Sequence, residues 1–152
     1  MDSAKKKERY CRVYKQLNEL LKPTPDICAR MATISSILYH KFDYFFWTGF
    51  YLLKDGQLTV GPYQGSLACL ILEKNKGVCW AGINERKTII VPNVHEFSGH
   101  IACDSRSNSE IVIPVFNVND CIIGVLDIDS KDFDAFNDID RFELEKIVQL
   151  IY

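Results

Sequence analysis

The chain has 152 residues, of which 25% are charged, and a formal net charge of −2. This length suits one domain with a single core, and the slightly acidic balance excludes the broad basic surface with which proteins bind nucleic acid or anionic lipid. No apolar run reaches the roughly 20 residues that span a bilayer, and the start of the chain lacks the apolar segment of a secretory signal. We therefore expect one cytoplasmic domain whose partners are small molecules or proteins.

Two amphipathic helices are predicted in the first part of the chain, over about residues 5–40. Apolar residues recur every three or four positions from residue 5 to 22, where Pro23 and Pro25 end the pattern. The same period returns from about residue 26 to 39. We expect both helices to place their apolar faces against the core.

The sequence changes to β-type composition from about residue 44. The segments FFWTGFYLL and QLTVGPYQG flank Asp55-Gly56, a strong two-residue hairpin signal. SLACLIL, residues 66–72, is a short apolar run that predicts a central strand. GVCWAGINERK predicts a short helix that begins after Gly77.

Three more strands are predicted before a final helix. KTIIVPNV, EIVIPVF and CIIGVLDIDS have strand character, and a turn-rich stretch over residues 117–120 joins the last two. Apolar residues at helical spacing then predict a helix over about residues 137–151. The order of elements favours an α+β fold, with an antiparallel sheet over about residues 44–130 between layers of helices.

Three carboxylates are predicted to share one face of this sheet. Asp127 and Asp129 alternate along one strand and lie about 7 Å apart on the same side. Glu110 begins the preceding strand and joins them if the two strands pair. Such a cluster raises the pKa of at least one carboxyl group and calls for a cation, either a metal ion or an ammonium group. A lone aspartate would simply end a strand, but three acids at one edge favour a binding site.

The cysteines are interpreted from their neighbours, because a reducing compartment is expected. Cys69, Cys79 and Cys103 lack the close spacing of structural zinc ligands, so no metal site is predicted. Cys103 lies in a polar loop between His100 and Asp104 and is a redox candidate, although the aspartate charge opposes a thiolate. Cys69, in an apolar run, is a core residue by default. Cys79 is either a thiolate favoured by a helix dipole or a small packing residue.

An aromatic pair is predicted on the same strand face. Trp47 and Tyr51 are four residues apart, and Gly49 between them leaves that face open. Such rings can enclose a methyl or thioether group, although core packing is their commoner role.

Together, the segments GPYQGSLAC, GVC, GHIACDSRSNSEIVIP and GVLDIDS resemble the free methionine-R-sulfoxide reductases, which are single GAF domains. The resemblance covers nearly the whole chain and implies one GAF domain over residues 1–152, with helices packed on the faces of a central antiparallel sheet. It further implies a cytoplasmic, homodimeric enzyme without a bound cofactor. Such an enzyme reduces the R epimer of free methionine sulfoxide, with thioredoxin as the electron donor.

The resemblance also assigns roles to the matched residues. Cys103 in HIACD matches the nucleophile, Cys69 in SLAC the resolving cysteine, and Cys79 in GVC a second resolving cysteine. The matched substrate-binding residues are Trp47, Tyr51, Glu110, Asp127 and Asp129. The acids would supply the countercharge for a free ammonium group, so a peptide-bound methionine would be rejected.

Some positions depart from the family pattern. Trp80 follows Cys79 where the family usually has glycine, and a side chain of this size is expected to narrow the route from that thiol to the pocket. Cys11, Cys28 and Cys121 match none of the redox positions and are predicted to be packing residues. Two other functions stay open at this point: a non-catalytic GAF module that binds a small amino acid or nucleotide, and a redox sensor.

Overall fold

The computed structural model describes residues 1–100 and 103–152. Within these ranges the chain forms four α-helices and six strands, with 3-10 turns at Val94–Glu96 and Gln149–Ile151. In chain order the elements are α1 (Ser3–Leu20), α2 (Ile27–Lys41), β1 (Trp47–Lys54), β2 (Gln57–Gln64), β3 (Ile71–Leu72), α3 (Gly77–Glu85), β4 (Ile89–Val91), β5 (Ser109–Phe116), β6 (Ile122–Ser130) and α4 (Asp138–Val148).

The strands form one sheet in the order β3-β2-β1-β6-β5-β4, and each neighbouring pair is antiparallel. The predicted hairpin is confirmed: β1 and β2 pair on either side of Asp55-Gly56, and both turn residues have positive φ. The α+β fold with a central antiparallel sheet is therefore confirmed.

The two faces of the sheet are covered differently. One face packs against α1, α2 and α4 in the larger apolar cluster, which takes Leu126 and Ile128 from β6. The alternate residue Val125 belongs to a smaller cluster on the other face, where α3 packs against β5 and β6. Because α3 has only nine residues, loops cover the rest of that second face, and a pocket forms there.

A buried polar cluster joins the start of the chain to α4. Lys6 Nζ lies 2.6 Å from Asp140 Oδ2, and the side chains are only 6% and 0% exposed. The hydroxyls of Tyr10 and Tyr44 donate to Asp140 Oδ1 at 2.7 and 2.6 Å. Asp140 also accepts from the backbone of Asn137 and completes the capping box of α4. No helix within the described ranges is both long and apolar enough to cross a membrane.

The prediction of a central strand over SLACLIL is wrong. Only Ile71–Leu72 pairs, at the edge of the sheet, and residues 65–70 form an irregular loop after β2. Leu67, Leu70 and Ile71 are 87%, 72% and 54% exposed. Apolar composition alone does not distinguish such an exposed loop from a strand buried in a sheet.

The packing role predicted for three cysteines is also wrong. Cys11, Cys28 and Cys121 are exposed free thiols. Cys11 follows the buried Tyr10 on α1 and points away from the core, because successive residues of a helix are rotated by about 100°. Cys121 lies in the turn before β6.

Candidate active site

Strand register brings the three predicted carboxylates together on the less covered face. Glu110 of β5 pairs with Asp129 of β6, and Asp127 lies two residues along the same strand, opposite Val112. Glu110 and Asp127 are 5% and 6% exposed. These carboxylates form the floor of the pocket, in which Glu110 and Asp127 are buried and Asp129 is half-buried.

Burial changes the acid–base properties of this floor. It raises the pKa of Glu110 well above its ordinary range, and the charges of Asp127 and Asp129 add to the effect. It also raises the pKa of Asp127 to about 6, although the nearby Glu110 and Cys79 favour the ionised form. Burial, and next the charge of Asp127, raises the pKa of Asp129. The Ser107 hydroxyl donates a hydrogen bond to Asp129 and partly offsets this increase. All three shifts favour the protonated form of these acids.

The floor has little countercharge of its own. Among the described residues, the one basic side chain within 4 Å of these three carboxylates is His100, whose Nδ1 lies 3.9 Å from Glu110 Oε2. Burial, and next the neighbouring His95, lowers the pKa of His100, so its ring is neutral at pH 7. The three predicted carboxylates thus converge with little positive charge near them among the described residues.

Stacked aromatic rings form one wall of the pocket. The Trp47 indole stacks between Tyr51 and Tyr63, with ring centroids 5.9 and 5.3 Å away. Two glycines make room for the indole: a Cβ at Gly49 would lie 2.7 Å from its Cη2, and one at Gly65 would lie 2.8 Å from its Cδ1. Gly65 also has a φ of +122°, which favours glycine.

The same aromatic residues hold the loop that carries Cys69. Trp47 Nε1 donates to the Ser66 carbonyl at 3.0 Å, and the Tyr51 hydroxyl donates to the Cys69 carbonyl at 3.0 Å. The sequence did not predict this second task, because hydrogen bonds from a strand to a loop leave no periodic pattern.

Cys69 and Cys103, which are 34 positions apart in the chain, form a disulfide with 5.7 Å between their Cα atoms. A second link lies beside it, because the Ser66 hydroxyl donates to Asp104 Oδ2 at 2.8 Å. Hydrogen bonds from the Arg106 side chain and backbone hold the pKa of Asp104 well below its ordinary range. The arginine therefore offsets the negative charge beside Cys103 that sequence reasoning expected to oppose a thiolate.

Cys79 lies in the first turn of α3 and lines the same pocket as Cys103. Its Sγ and one carboxylate oxygen each of Glu110 and Asp127 lie within 4.8 Å of one another. Burial raises the pKa of the Cys79 thiol well above its ordinary range, and Asp127, Glu110 and Asp129 add to the effect. Burial and three carboxylates thus oppose the thiolate form, which was one of the two alternatives for Cys79.

Trp80 does not narrow the route to Cys79, contrary to expectation. Its side chain is buried, and its Nε1 lies 3.5 Å from the Leu72 carbonyl. Cys79 lines the pocket whereas Trp80 does not, because the next residue of a helix points about 100° away.

One pocket collects seven of the eight predicted site residues, and the eighth, Cys69, is bonded to Cys103 at its mouth. The seven are Trp47, Tyr51, Cys79, Cys103, Glu110, Asp127 and Asp129. Sequence reasoning missed Ser107, Phe46 and Lys76, which also line the pocket. Arg106 and Lys131 lie over the Phe46 ring, 4.9 and 4.8 Å from its centroid. Neither period nor spacing distinguishes these loop residues from ordinary surface positions.

The fold and the sequence match other proteins, although no family model matches the chain. A GAF-domain protein of Burkholderia vietnamiensis superposes with a TM-score of 0.91 at 40% identity, covering 96% of this chain and 92% of that one. A free methionine-R-sulfoxide reductase of Escherichia coli is 41% identical over 143 residues, 94% of this chain and 86% of that protein. The free methionine-R-sulfoxide reductase (fRMsr) of Staphylococcus aureus, solved in complex with its substrate, superposes with a TM-score of 0.88 at 44% identity. The match covers 93% of this chain and 92% of that one.

The protein is thus a GAF domain with a disulfide at the mouth of an acidic pocket. Identity at this level over nearly the whole chain settles the family as well. The chain belongs to the free methionine-R-sulfoxide reductases, as its motifs indicated.

Proposed function

We propose that the chain reduces free L-methionine-(R)-S-oxide to L-methionine, with Cys103 as nucleophile, Cys69 as resolving cysteine and thioredoxin as electron donor. The observation that carries the proposal is the Cys69–Cys103 disulfide at the mouth of a pocket floored by carboxylates. Membership of the family supports it, because the E. coli relative bears the name of this activity.

The pocket has complementary groups for both ends of the substrate. The free ammonium group supplies the positive charge that Glu110, Asp127 and Asp129 lack, and the methyl end packs against the Trp47 and Tyr51 rings. In a peptide this ammonium group is replaced by an amide. Binding would then leave buried carboxylates without a counter-ion, which costs several kcal/mol by the usual penalty for an uncompensated buried charge. The site therefore selects the free amino acid.

The first chemical step transfers the sulfoxide oxygen to Cys103. The thiolate attacks the sulfoxide sulfur while a protonated carboxyl group of the floor donates its proton to the oxygen. The sulfoxide gains two electrons and leaves as methionine, and Cys103 loses two electrons and becomes a sulfenic acid. Burial of Glu110, whose pKa is raised, keeps such a proton available.

The second step forms the disulfide. The Cys69 thiol attacks the sulfenic sulfur of Cys103, the sulfur–sulfur bond forms and water leaves. The Tyr51 and Trp47 hydrogen bonds to the Cys69 loop hold this thiol near its target. Cys79 serves as a second resolving cysteine from within the same pocket. It reacts more slowly, because burial keeps it protonated and the thiolate is the attacking form.

Thioredoxin then reduces the disulfide. One thiolate of its dithiol attacks a sulfur of the bond, the other protein sulfur leaves as a thiolate, and the second thioredoxin thiol releases the enzyme and forms the thioredoxin disulfide. The exposed Leu67 and Leu70 flank Cys69 and support a protein reductant, since an apolar surface beside the bond suits a protein partner better than a small thiol.

The test is NADPH consumption coupled through thioredoxin reductase and thioredoxin, with free R-sulfoxide, free S-sulfoxide and a peptide sulfoxide as substrates. We expect turnover with the free R epimer alone. Cys103→Ser should abolish it, and Cys69→Ser should release about one methionine per chain and then recycle slowly. Cys28→Ser, at an exposed free thiol, is the matched control and should behave as wild type. Full thioredoxin-dependent turnover by Cys103→Ser would refute the assignment.

A further inference from the structure

We propose that the disulfide form of the protein binds one Zn²⁺ ion through Cys79, Glu110 and Asp127. The three residues come from α3, β5 and β6 and offer one sulfur and two carboxylate oxygens within 4.8 Å of one another. A thiolate with oxygen ligands suits a borderline-soft cation such as zinc, whereas Mg²⁺ and Ca²⁺ prefer six or more oxygen ligands. The spacing of the cysteines did not predict this site, because two of its three ligands are acids, one on β5 and one on β6.

An unpartnered oxygen points independently to a ligand at this position. Asp127 is 6% exposed, and its Oδ1 accepts no hydrogen bond from the residues that the structure describes. A buried carboxylate oxygen without a donor is costly, and a bound cation removes that cost. The same side chain belongs to the cluster with Glu110 and Cys79.

The geometry requires only small movements. Zinc bonds of about 2.0 to 2.3 Å in a tetrahedron place ligand atoms about 3.5 Å apart, so side-chain shifts of about 1 Å close the cluster around the ion. The backbone need not move, since a helix and two central strands carry the ligands. His100 lines the same pocket, with its Nδ1 3.9 Å from Glu110 Oε2, and can supply the fourth ligand. Three protein ligands and a water molecule would also suffice.

The bound ion would inhibit the enzyme. This consequence rests on the proposed function, because the zinc ligands include the carboxylates assigned to the substrate ammonium group. Free methionine and zinc would then exclude each other from the pocket. In the disulfide form Cys69 and Cys103 offer no thiolate, so Cys79 is the thiol that remains in the pocket.

The test uses the oxidised full-length chain with Cys11, Cys28 and Cys121 replaced by serine, because these exposed thiols would bind metal by themselves. Equilibrium dialysis against ZnCl₂ should give one ion per chain. Cys79→Ser and Asp127→Asn should each weaken binding at least tenfold, whereas Asp132→Asn, at an exposed aspartate, should leave it unchanged. Thermal unfolding of each variant shows that the fold persists.

Co²⁺ gives a second readout, because only a cobalt–thiolate bond produces the corresponding charge-transfer absorption. We expect this band in the parent protein and its loss in Cys79→Ser. Free methionine should raise the apparent Kd for zinc. No stoichiometric binding, or binding unaffected by both Cys79→Ser and Asp127→Asn, would overturn the proposal. Neither readout needs turnover, so failure of the zinc site and failure of the reductase activity are separate results.

Discussion

Asp127→Asn should make the protein more stable and less active. The Asp127 carboxyl group has an ordinary pKa of 3.8, and burial raises it to about 6 in the folded chain. Between these values the folded protein holds a proton that the unfolded chain has released, so the free energy of unfolding falls as the pH rises. Each pH unit costs about 1.4 kcal/mol, and the full penalty above pH 6 is about 3 kcal/mol.

The asparagine amide has nearly the shape of the acid and no charge to bury. Its NH₂ group can donate to Glu110. In the wild-type protein the charge of Asp127 instead helps to raise the pKa of Glu110. We expect a gain of about 2 kcal/mol in the free energy of unfolding at pH 8, after the cost of fitting the amide. The part of this gain that comes from the Asp127 charge should fall to about 1 kcal/mol at pH 4.5, because the aspartate of the unfolded chain is itself partly protonated there.

Urea unfolding of the oxidised proteins at the two pH values measures this difference, with the disulfide intact throughout. Asp132→Asn, at an exposed position near the end of β6, is the matched control and should change the free energy of unfolding at neither pH. Turnover of the free sulfoxide by Asp127→Asn should be lost in the same preparation, because the amide has no negative charge for the substrate ammonium group. A gain in stability with a loss of activity is the usual result when a binding residue is replaced. A variant that is less stable than wild type, or equally stabilised at both pH values, would refute the reasoning.

Three further predictions concern other contacts. Tyr51→Phe removes the hydroxyl that holds the Cys69 loop, a hydrogen bond worth about 1 kcal/mol. The rate of disulfide formation, measured by rapid quench and thiol labelling, should fall about fivefold, whereas Tyr63→Phe should not change it. An aspartate at Leu70 should raise the KM for thioredoxin several-fold but leave turnover with dithiothreitol unchanged; equal losses with both reductants would exclude a docking role. Asp140→Asn should lower the free energy of unfolding in urea by about 3 to 5 kcal/mol, since it strands the buried Lys6, and a loss below 1 kcal/mol would contradict this.

The carboxylate floor could be predicted because strands leave a simple pattern. Alternation alone places Asp127 and Asp129 on one face, and the pairing of β5 with β6 then adds Glu110. Each step depends on residues close together in sequence or on neighbouring strands. The predicted site is therefore most accurate where regular secondary structure builds it.

The mouth of the pocket could not be derived in this way. Cys69 lies in a loop that apolar composition predicts as a strand, and its bond to Cys103 crosses 34 residues. Only the resemblance to the family suggested that pairing. The link from Ser66 to Asp104 and the hydrogen bond from Ser107 to Asp129 depend on how two loops meet, for which the sequence has no period.

The division between floor and mouth follows from the demands of the chemistry. A proton donor for the sulfoxide must be buried, because a solvated carboxyl group ionises near pH 4 and has no proton to give. The thiol must instead be reachable, first by the substrate and then by a protein reductant, and Cys103 is exposed. A regular strand can bury Glu110 but cannot also present a sulfur to two different partners, whereas a loop can. Cys103 therefore lies in a polar loop because the substrate and the reductant must both reach its sulfur. Hydrogen bonds such as that from Ser66 to Asp104 hold the two cysteine loops together above the carboxylates.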